Sequence, residues 1–373
     1  MIEKANREFA LSYAEVYRLV GQAVAGLAMH GIDETDRVII ALPASREFLS
    51  AYLGCLYAGV VPTVVAEPKE GRTESYAAYL RGLAEHTQAK QVIASAELGN
   101  RLAPLLPVQV LTPAALYSTP VQLTAPRATP TSLAHLQATS GSTGVPKLAM
   151  VRHDNIVANV QAIADAIRGN LDDSLVSWLP LSHDMGLVGV SYALNAQIPM
   201  VLSDTANFLR NPLSWLQLIS RYQGTLSPAP SSAFHSCMRL AKLRPPQDLD
   251  LSTWRVALCG AEPVHESTMR EFQAVFGRAG LRETTLLPVY GLGEATLAAT
   301  ISHVDRPYSV DWVDAETVAV GGWAEPRAAE DPRALGMVCV GRAVPGHALR
   351  VVDPNGAPVP DRTIGEIEMS GPS

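Results

Sequence analysis

The sequence predicts an α/β protein: two doubly wound α/β subdomains of similar plan packed together, followed by a small β-barrel-like subdomain. Short apolar runs bounded by turn residues alternate with amphipathic segments over residues 11–95, the pattern of inner parallel strands and their covering helices. A helix, x-x-Pro, strand arrangement at residues 48–66 recurs at 185–203. From residue 300 the runs become short and β-type, separated by Pro, Gly and Asp. The expected boundaries are residues 1–135, 136–300 and 301–373, and the first two subdomains are free to exchange segments.

Ser12 followed by Glu15 is a capping-box pattern, and the apolar spacing after Leu11 predicts a helix. D-R-V-I-I-A-L (36–42) reads as an inner strand, 48–58 as a helix, 63–66 as a strand, 79–86 as a helix and 90–95 as a strand. Residues 102–131, rich in Pro, Thr and Ala, suit a surface connection. L-A-H-L-Q-A (133–138) and L-A-M-V (148–151) read as buried strands. A helix capped by Asp154 follows, then a strand at 174–179. Strands at 254–259 and 285–290 flank a helix at 268–276. T-V-A-V (317–320), G-M-V-C-V (336–340), A-L-R-V-V (348–352) and G-E-I-E-M (365–369) read as strands, the last two forming a hairpin with a Pro-Asn-Gly turn.

With 47% hydrophobic and 17% charged residues over 373 positions, the chain has material for a large core. The net charge of −7 supplies no general field for nucleic acid or an anionic membrane, so any anion site is local. Residues 48–66 and 185–203 are uncharged, but Gly and Pro divide each into a core helix and a buried strand rather than a membrane span. Cys55, Cys237, Cys259 and Cys339 are far apart in sequence, which suits buried reduced thiols, and no secretory signal precedes them; a cytoplasmic location follows.

Between the 133–138 and 148–151 strands lies Q-A-T-S-G-S-T-G-V-P-K. Ser140, Gly141, Ser142, Thr143 and Gly144 combine two residues lacking Cβ with three hydroxyls, a composition that lets backbone N–H groups turn toward a phosphate, and Lys147 adds a point charge. It is not a Walker A loop, because Pro146 stands where that motif requires glycine. The same composition suits a plain surface connection; apolar flanks on both sides favour the anion cradle. Two further strand ends, at Gly260 and Gly291, also carry small residues beside a polar one, and ligands of doubly wound sheets bind at carboxyl strand ends.

A-T-S-G-S-T-G-V-P-K, Y-G-L-G-E-A-T and the hairpin ending G-E-I-E-M-S-G-P together resemble the adenylate-forming enzymes: acyl-CoA synthetases, luciferases and peptide-synthetase adenylation domains. W-L-P-L-S-H-D-M-G-L-V-G and G-A-E-P-V look most like the fatty acyl-AMP ligases of lipid, polyketide and nonribosomal peptide biosynthesis. The resemblance implies ATP-dependent activation of a fatty acid to acyl-AMP with Mg²⁺, and an acyl carrier protein as acceptor. It assigns Thr139, Ser140, Ser142, Thr143 and Lys147 to the β- and γ-phosphates, with Gly141 and Gly144 in the same loop. Gly260, Ala261, Glu262 and Pro263 would pack on adenine, with Tyr290, Gly291 and Leu292 on its other side. Glu294 would hold Mg²⁺, and His183, followed by Asp184, would stand at the mouth of the carboxylate pocket. His183, Lys147 and Glu294 are the catalytic candidates. Met185, Gly186, Ser231, Ser232, Phe234 and Met238 are candidates for the acyl pocket wall, and an ordinary core reading stays open for them.

Two departures accompany this resemblance. Gly293 stands where fatty acyl-AMP ligases usually carry alanine, giving the loop more backbone freedom. The T-G-D segment, hinge and small domain with the catalytic lysine that follow S-G-P in the family are not in the sequence, so it is expected to represent the large N-terminal domain, binding ATP and acyl-adenylate with turnover weakened about 10²- to 10³-fold. Other readings are an acyl-CoA synthetase, an aryl or amino acid adenylation domain, and a non-catalytic acyl- or nucleotide-binding domain of the same fold. S-H-D-M-G in place of an F-D-x-S-type segment disfavours the amino acid version.

Overall fold

The computed structural model describes residues 1–2, 8–69, 71–117, 123, 125–139 and 147–373. These divide into two compact units: Met1–Val157 with Trp178–Val188 and Leu202–Asn207, and Ala158–Ser177 with Gly189–Val201 and Phe208–Ser373. Each mixes helices with sheet.

The first unit is built on a six-stranded sheet of β1 (Arg37–Ala41), β2 (Val61–Val64), β3 (Gln91–Ala94), β4 (Gln109–Leu111), β5 (Leu133–Thr139) and β6 (Lys147–Arg152). Their spatial order is β4-β3-β1-β2-β5-β6. All pairs are parallel except β5 with β6, which run antiparallel from Thr139↔Lys147 onward. The helix Tyr13–Met29 starts where the capping box placed it: Ser12 Oγ accepts from Glu15 N while the Glu15 carboxylate accepts from Ser12 N at 2.7 Å. The helix Arg46–Ala58 ends at Gly59, whose φ of 73° is the left-handed cap that lets the chain reverse into β2. Ile39, Leu80, Val92 and Leu98 belong to one core cluster between β1, β3 and the helices Thr73–Thr87 and Ala96–Leu102.

Three expectations change here. Residues 102–131 are more than a surface connection: they contain the edge strand β4 and the helix Pro113–Leu116, with Leu111 and Leu116 buried. L-A-M-V forms a strand but not a buried one. β6 is the sheet edge, and Met150 is 66% exposed. The helix His153–Ile167 is not capped by Asp154, which lies inside its first turn and binds the Arg152 guanidinium at 2.9 and 3.0 Å.

In the second unit, β7 (Leu175–Ser177) lies parallel to Leu226, which in turn bridges Val256. β8 (Met200–Leu202) follows the helix Asp184–Ala196. The main sheet contains β9 (Ala229–Pro230), β10 (Ala257–Gly260), β11 (Leu286–Gly291) and β12 (Ala298–Ile301). β9, β10 and β11 are parallel, and β12 returns antiparallel to β11. Aromatic rings fill the core beneath: Trp215 meets Phe234 at 5.2 Å and Trp254 at 5.3 Å, and Phe234 meets Phe272 at 5.0 Å.

The segment leading into β10 is anchored by an ion pair whose carboxylate is buried and whose guanidinium is half-buried. Arg255 binds Asp173 through Nε at 2.7 Å and also donates to the Ile167 carbonyl at 2.8 Å. Burial pushes the Asp173 carboxyl up, but donors from Arg255, Thr225 and the Asn170 amide outweigh it and hold the carboxyl below its ordinary value. Because the folded pKa is depressed, the stabilisation is present above the unfolded value of about 3.9 and is lost as pH falls through the folded one. Asp173→Asn is therefore expected to cost about 3–5 kcal/mol at neutral pH, with the gap to wild type closing in acid, measured by urea unfolding at a series of pH values.

Beyond β12, β13 (Val310–Asp314) pairs antiparallel with β14 (Ala334–Val338), β15 (Arg342–Ala343) adds to β12, and β16 (Ala348–Val352) pairs with β17 (Glu366–Ser370). These ladders do not close into a barrel among the described residues. T-V-A-V is helical, not a strand: Asp314 caps the helix Ala315–Ala319 by accepting from Glu316 N and Thr317 N, and this local bonding overrides β-propensity. The β16–β17 connection turns at Asp353, whose carboxylate accepts from Asn355 N and Ala357 N, with Gly356 at φ 81°. Cys55, Cys237 and Cys259 are buried, whereas Cys339 is exposed, contrary to the expectation of buried thiols. Among the described residues no helix is long and apolar enough to cross a membrane.

Candidate active site

β10 and β11 are adjacent and parallel, paired from Ala257↔Leu286 to Cys259↔Pro288, so their carboxyl ends leave the sheet at the same edge. From β10 emerge Gly260, Ala261, Glu262 and Pro263; from β11 emerge Tyr290, Gly291, Leu292, Gly293 and Glu294. Gly260 has no room for a side chain, because a Cβ there would stand 2.7 Å from Val289 Cγ2 on β11. Ala261 has φ 65°, so the chain bends away at once and leaves Ala261, Glu262 and Pro263 exposed. The Glu262 carboxylate accepts from the Ser232 amide at the start of the helix Ser231–Leu243. A cleft of about 610 Å³ beside this bond is lined by Glu262 and Pro263 together with Ser231, Ser232, His235, Met238 and Lys242. Phe234, from the same helix, is fully buried in the aromatic core.

In the first unit, Thr139 and Lys147 face each other as the ends of the β5–β6 ladder, and Thr139 Oγ1 donates to the Lys147 carbonyl at 3.3 Å. Ser140, Gly141, Ser142, Thr143 and Gly144 lie outside the described residues. Lys147 is exposed. Gln137, buried in β5, donates from Nε2 to the Ser182 carbonyl at 3.1 Å and so joins this strand end to the S-H-D-M-G segment. Sequence reasoning passed over Gln137. The available signal was a buried amide two residues before the strand ends, in a strand whose other polar residues are His135 and Thr139.

His183 is exposed, and its Nδ1 lies 2.7 Å from Asp184 Oδ1, which also accepts from the Met185 amide at 2.7 Å. Gly186 packs its α-carbon against the Pro180 carbonyl, where a Cβ would not fit. Met185 is buried, so the chain offers His183 outward and hides its neighbour. The hydrogen bond that His183 donates to the Asp184 carboxylate, with that group's negative charge, raises the His183 pKa against the opposing effect of partial desolvation. A raised folded pKa means that the pair stabilises the fold below the unfolded value of about 6.5, an effect lost as pH rises through the folded one. Asp184→Asn is expected to move the His183 titration downward, followed by NMR of the imidazole. In β5, His135 is buried against the Tyr52 hydroxyl at 3.1 Å; burial chiefly, with His153 nearby, lowers its pKa to about 4, so it is neutral at physiological pH.

Glu294 is the one exposed residue between buried Gly293 and buried Ala295. No group of three or more His, Cys, Asp or Glu suited to a metal occurs among the described residues. A lone exposed carboxylate on a fixed turn fits Mg²⁺ that arrives with phosphates and water completing its shell, rather than a caged resident ion.

The family model for AMP-binding enzymes matches residues 2–373. A structure from a study of fatty acyl-adenylate ligases of E. coli and L. pneumophila superposes with a TM-score of 0.91 at 33% identity, covering 99% of this chain and 68% of that one. A long-chain-fatty-acid–AMP ligase of Mycobacterium tuberculosis is 32% identical over 378 residues, 97% of this chain and 63% of its own length. A medium-chain-fatty-acid–[acyl-carrier-protein] ligase of Moorena producens is 33% identical over 311 residues, 80% of this chain and 52% of its own length. The chain thus spans about half to two-thirds of the length of these curated relatives. The fold is that of the large N-terminal domain of this superfamily, and the chain belongs to the AMP-binding, adenylate-forming enzymes, alongside the fatty acyl-AMP ligases.

Proposed function

We propose that the chain is the adenylating part of a fatty acyl-AMP ligase: it binds ATP and a fatty acid, forms the acyl-adenylate and releases pyrophosphate, the acyl group passing to an acyl carrier protein. The observation that carries this reading is the pair of loops leaving one sheet edge side by side, G-A-E-P from β10 and Y-G-L-G-E from β11, with Glu294 exposed on a buried footing. In the reaction a carboxylate oxygen bonds to the α-phosphorus while the bond from that phosphorus to the bridging oxygen breaks and pyrophosphate leaves. No protein nucleophile is needed. Two anions must meet and a more highly charged one depart, so the work is positioning and charge stabilisation.

In this reading, Gly260, Ala261, Glu262 and Pro263 pack on one face of adenine and Tyr290, Gly291 and Leu292 on the other. Lys147, with Thr139 and the residues 140–144, binds the β- and γ-phosphates. His183, held by Asp184, receives the carboxylate, and Met185, Gly186, Ser231 and Ser232 line its approach. Glu294 holds Mg²⁺, which supplies positive charge to the phosphate oxygens when bound. A fatty acid is supported by the S-H-D-M-G segment and by relatives named as fatty acid ligases. ATP–pyrophosphate exchange with a panel of fatty, aryl and amino acids tests it: exchange with fatty acids is expected, and exchange confined to aryl or amino acids would sink the lipid assignment.

A further inference from the structure

The turn that follows Glu294 is strained, and one buried amide holds it. Thr296 has φ 66° and ψ −55°, in the positive-φ region that a side chain bearing Cβ rarely adopts, and Leu297 N donates back to the Ala295 carbonyl at 2.7 Å across it. This is the rare form of γ-turn, which costs about 1–3 kcal/mol and persists only where its surroundings over-determine it. Thr296 is itself buried, so solvent does not relieve the turn.

Asn159 supplies the constraint. It lies on the helix His153–Ile167, within an apolar face that includes Ile156, Val160 and Ile163, and it is fully buried. Its Nδ2 donates to the Ala295 carbonyl at 3.2 Å and the Ala298 carbonyl at 3.0 Å, and its Oδ1 accepts from Ala298 N at 3.0 Å. One side chain therefore grips the backbone on both sides of Thr296. A further contact, to Ser373 Oγ at 3.0 Å, continues to His347 Nε2 at 2.6 Å. An amide offers both donors and an acceptor at one site; neither a carboxylate nor an apolar residue does. A polar group buried in an apolar helix stripe carries a desolvation cost that only such a set of bonds offsets.

We infer that Asn159 is a positioning residue for the Mg·ATP site: it fixes the strained turn after Glu294 and so sets where the Glu294 carboxylate stands. The inference rests on the reading of Glu294 as the Mg²⁺ ligand. Its test is the affinity of the chain for ATP, measured by calorimetry with Mg²⁺ and again in EDTA. Asn159→Ala is expected to reduce the Mg²⁺-dependent gain in ATP affinity about 10- to 100-fold while leaving affinity in EDTA unchanged. Glu294→Gln is expected to remove the same gain, and the double variant to lose no more than Glu294→Gln alone, because the two changes act through one carboxylate.

Asn159→Ala leaves buried carbonyls without donors, so a second variant guards against misfolding. Thr296→Gly accommodates the positive φ without strain and loosens the turn. It is expected to lose the Mg²⁺-dependent gain while remaining folded by circular dichroism. If Glu294→Gln loses the gain but Asn159→Ala and Thr296→Gly keep it, or if the double variant loses the product of the two effects, the positioning role is overturned and the metal reading stands. If Glu294→Gln keeps the gain, the metal reading itself fails and the inference fails with it.

Discussion

Glu294→Gln is expected to lower ATP–pyrophosphate exchange with a fatty acid by about 10²- to 10³-fold, with little change in thermal stability. The side chain is exposed, and the backbone turn beneath it is held by neighbours that the substitution does not touch. The amide keeps the shape of the carboxylate and removes its charge, so on the proposed reading it would weaken the hold on Mg²⁺ while negative charge builds on the departing pyrophosphate. Single-turnover formation of acyl-adenylate at saturating ATP measures the effect at the chemical step. Undiminished Mg·ATP-dependent activity would show that the metal is held elsewhere.

Phe234→Ala is expected to cost about 3–5 kcal/mol of stability, read from the midpoint of urea unfolding. The ring is fully buried, edge-on to Trp215 at 5.2 Å and to Phe272 at 5.0 Å, and stacked near Trp254 at 6.4 Å. Truncation leaves a cavity among rings that cannot collapse into it, since Trp215 and Trp254 are each held by an indole N–H bond, to Ser227 Oγ and to the Val256 carbonyl. This separates two roles that the sequence left open for Phe234. A wall of the acyl pocket would alter preference among fatty acids while sparing the fold; a core ring does the reverse. Ser232 and Met238 line the cleft beside Glu262, and on the proposed reading substitutions there are expected to alter ligand preference.

Local signals settled much of this protein in advance. The Ser12–Glu15 capping box and the inner strands β1, β2 and β3 were legible because neighbouring residues decide them: a cap needs a side chain three positions away, and a buried strand needs only an apolar run. The strand ends at Gly260 and Gly291 were legible for the same reason. Tertiary structure decided the rest. Whether L-A-M-V is buried depends on whether another strand lies beyond β6, and that β4 joins the sheet at all depends on a pairing with β3 that no local pattern specifies. T-V-A-V became a helix because Asp314 caps it. Asn159 sits 136 and 139 residues before the backbone it grips at Ala295 and Ala298, and nothing around it in sequence marks that partner. The residue types and their order carried the resemblance to the adenylate-forming enzymes, because motifs are short-range. The strain at Thr296 and the amide that holds it arose only on folding, because buried polar groups find partners wherever the fold brings unpaired carbonyls within reach.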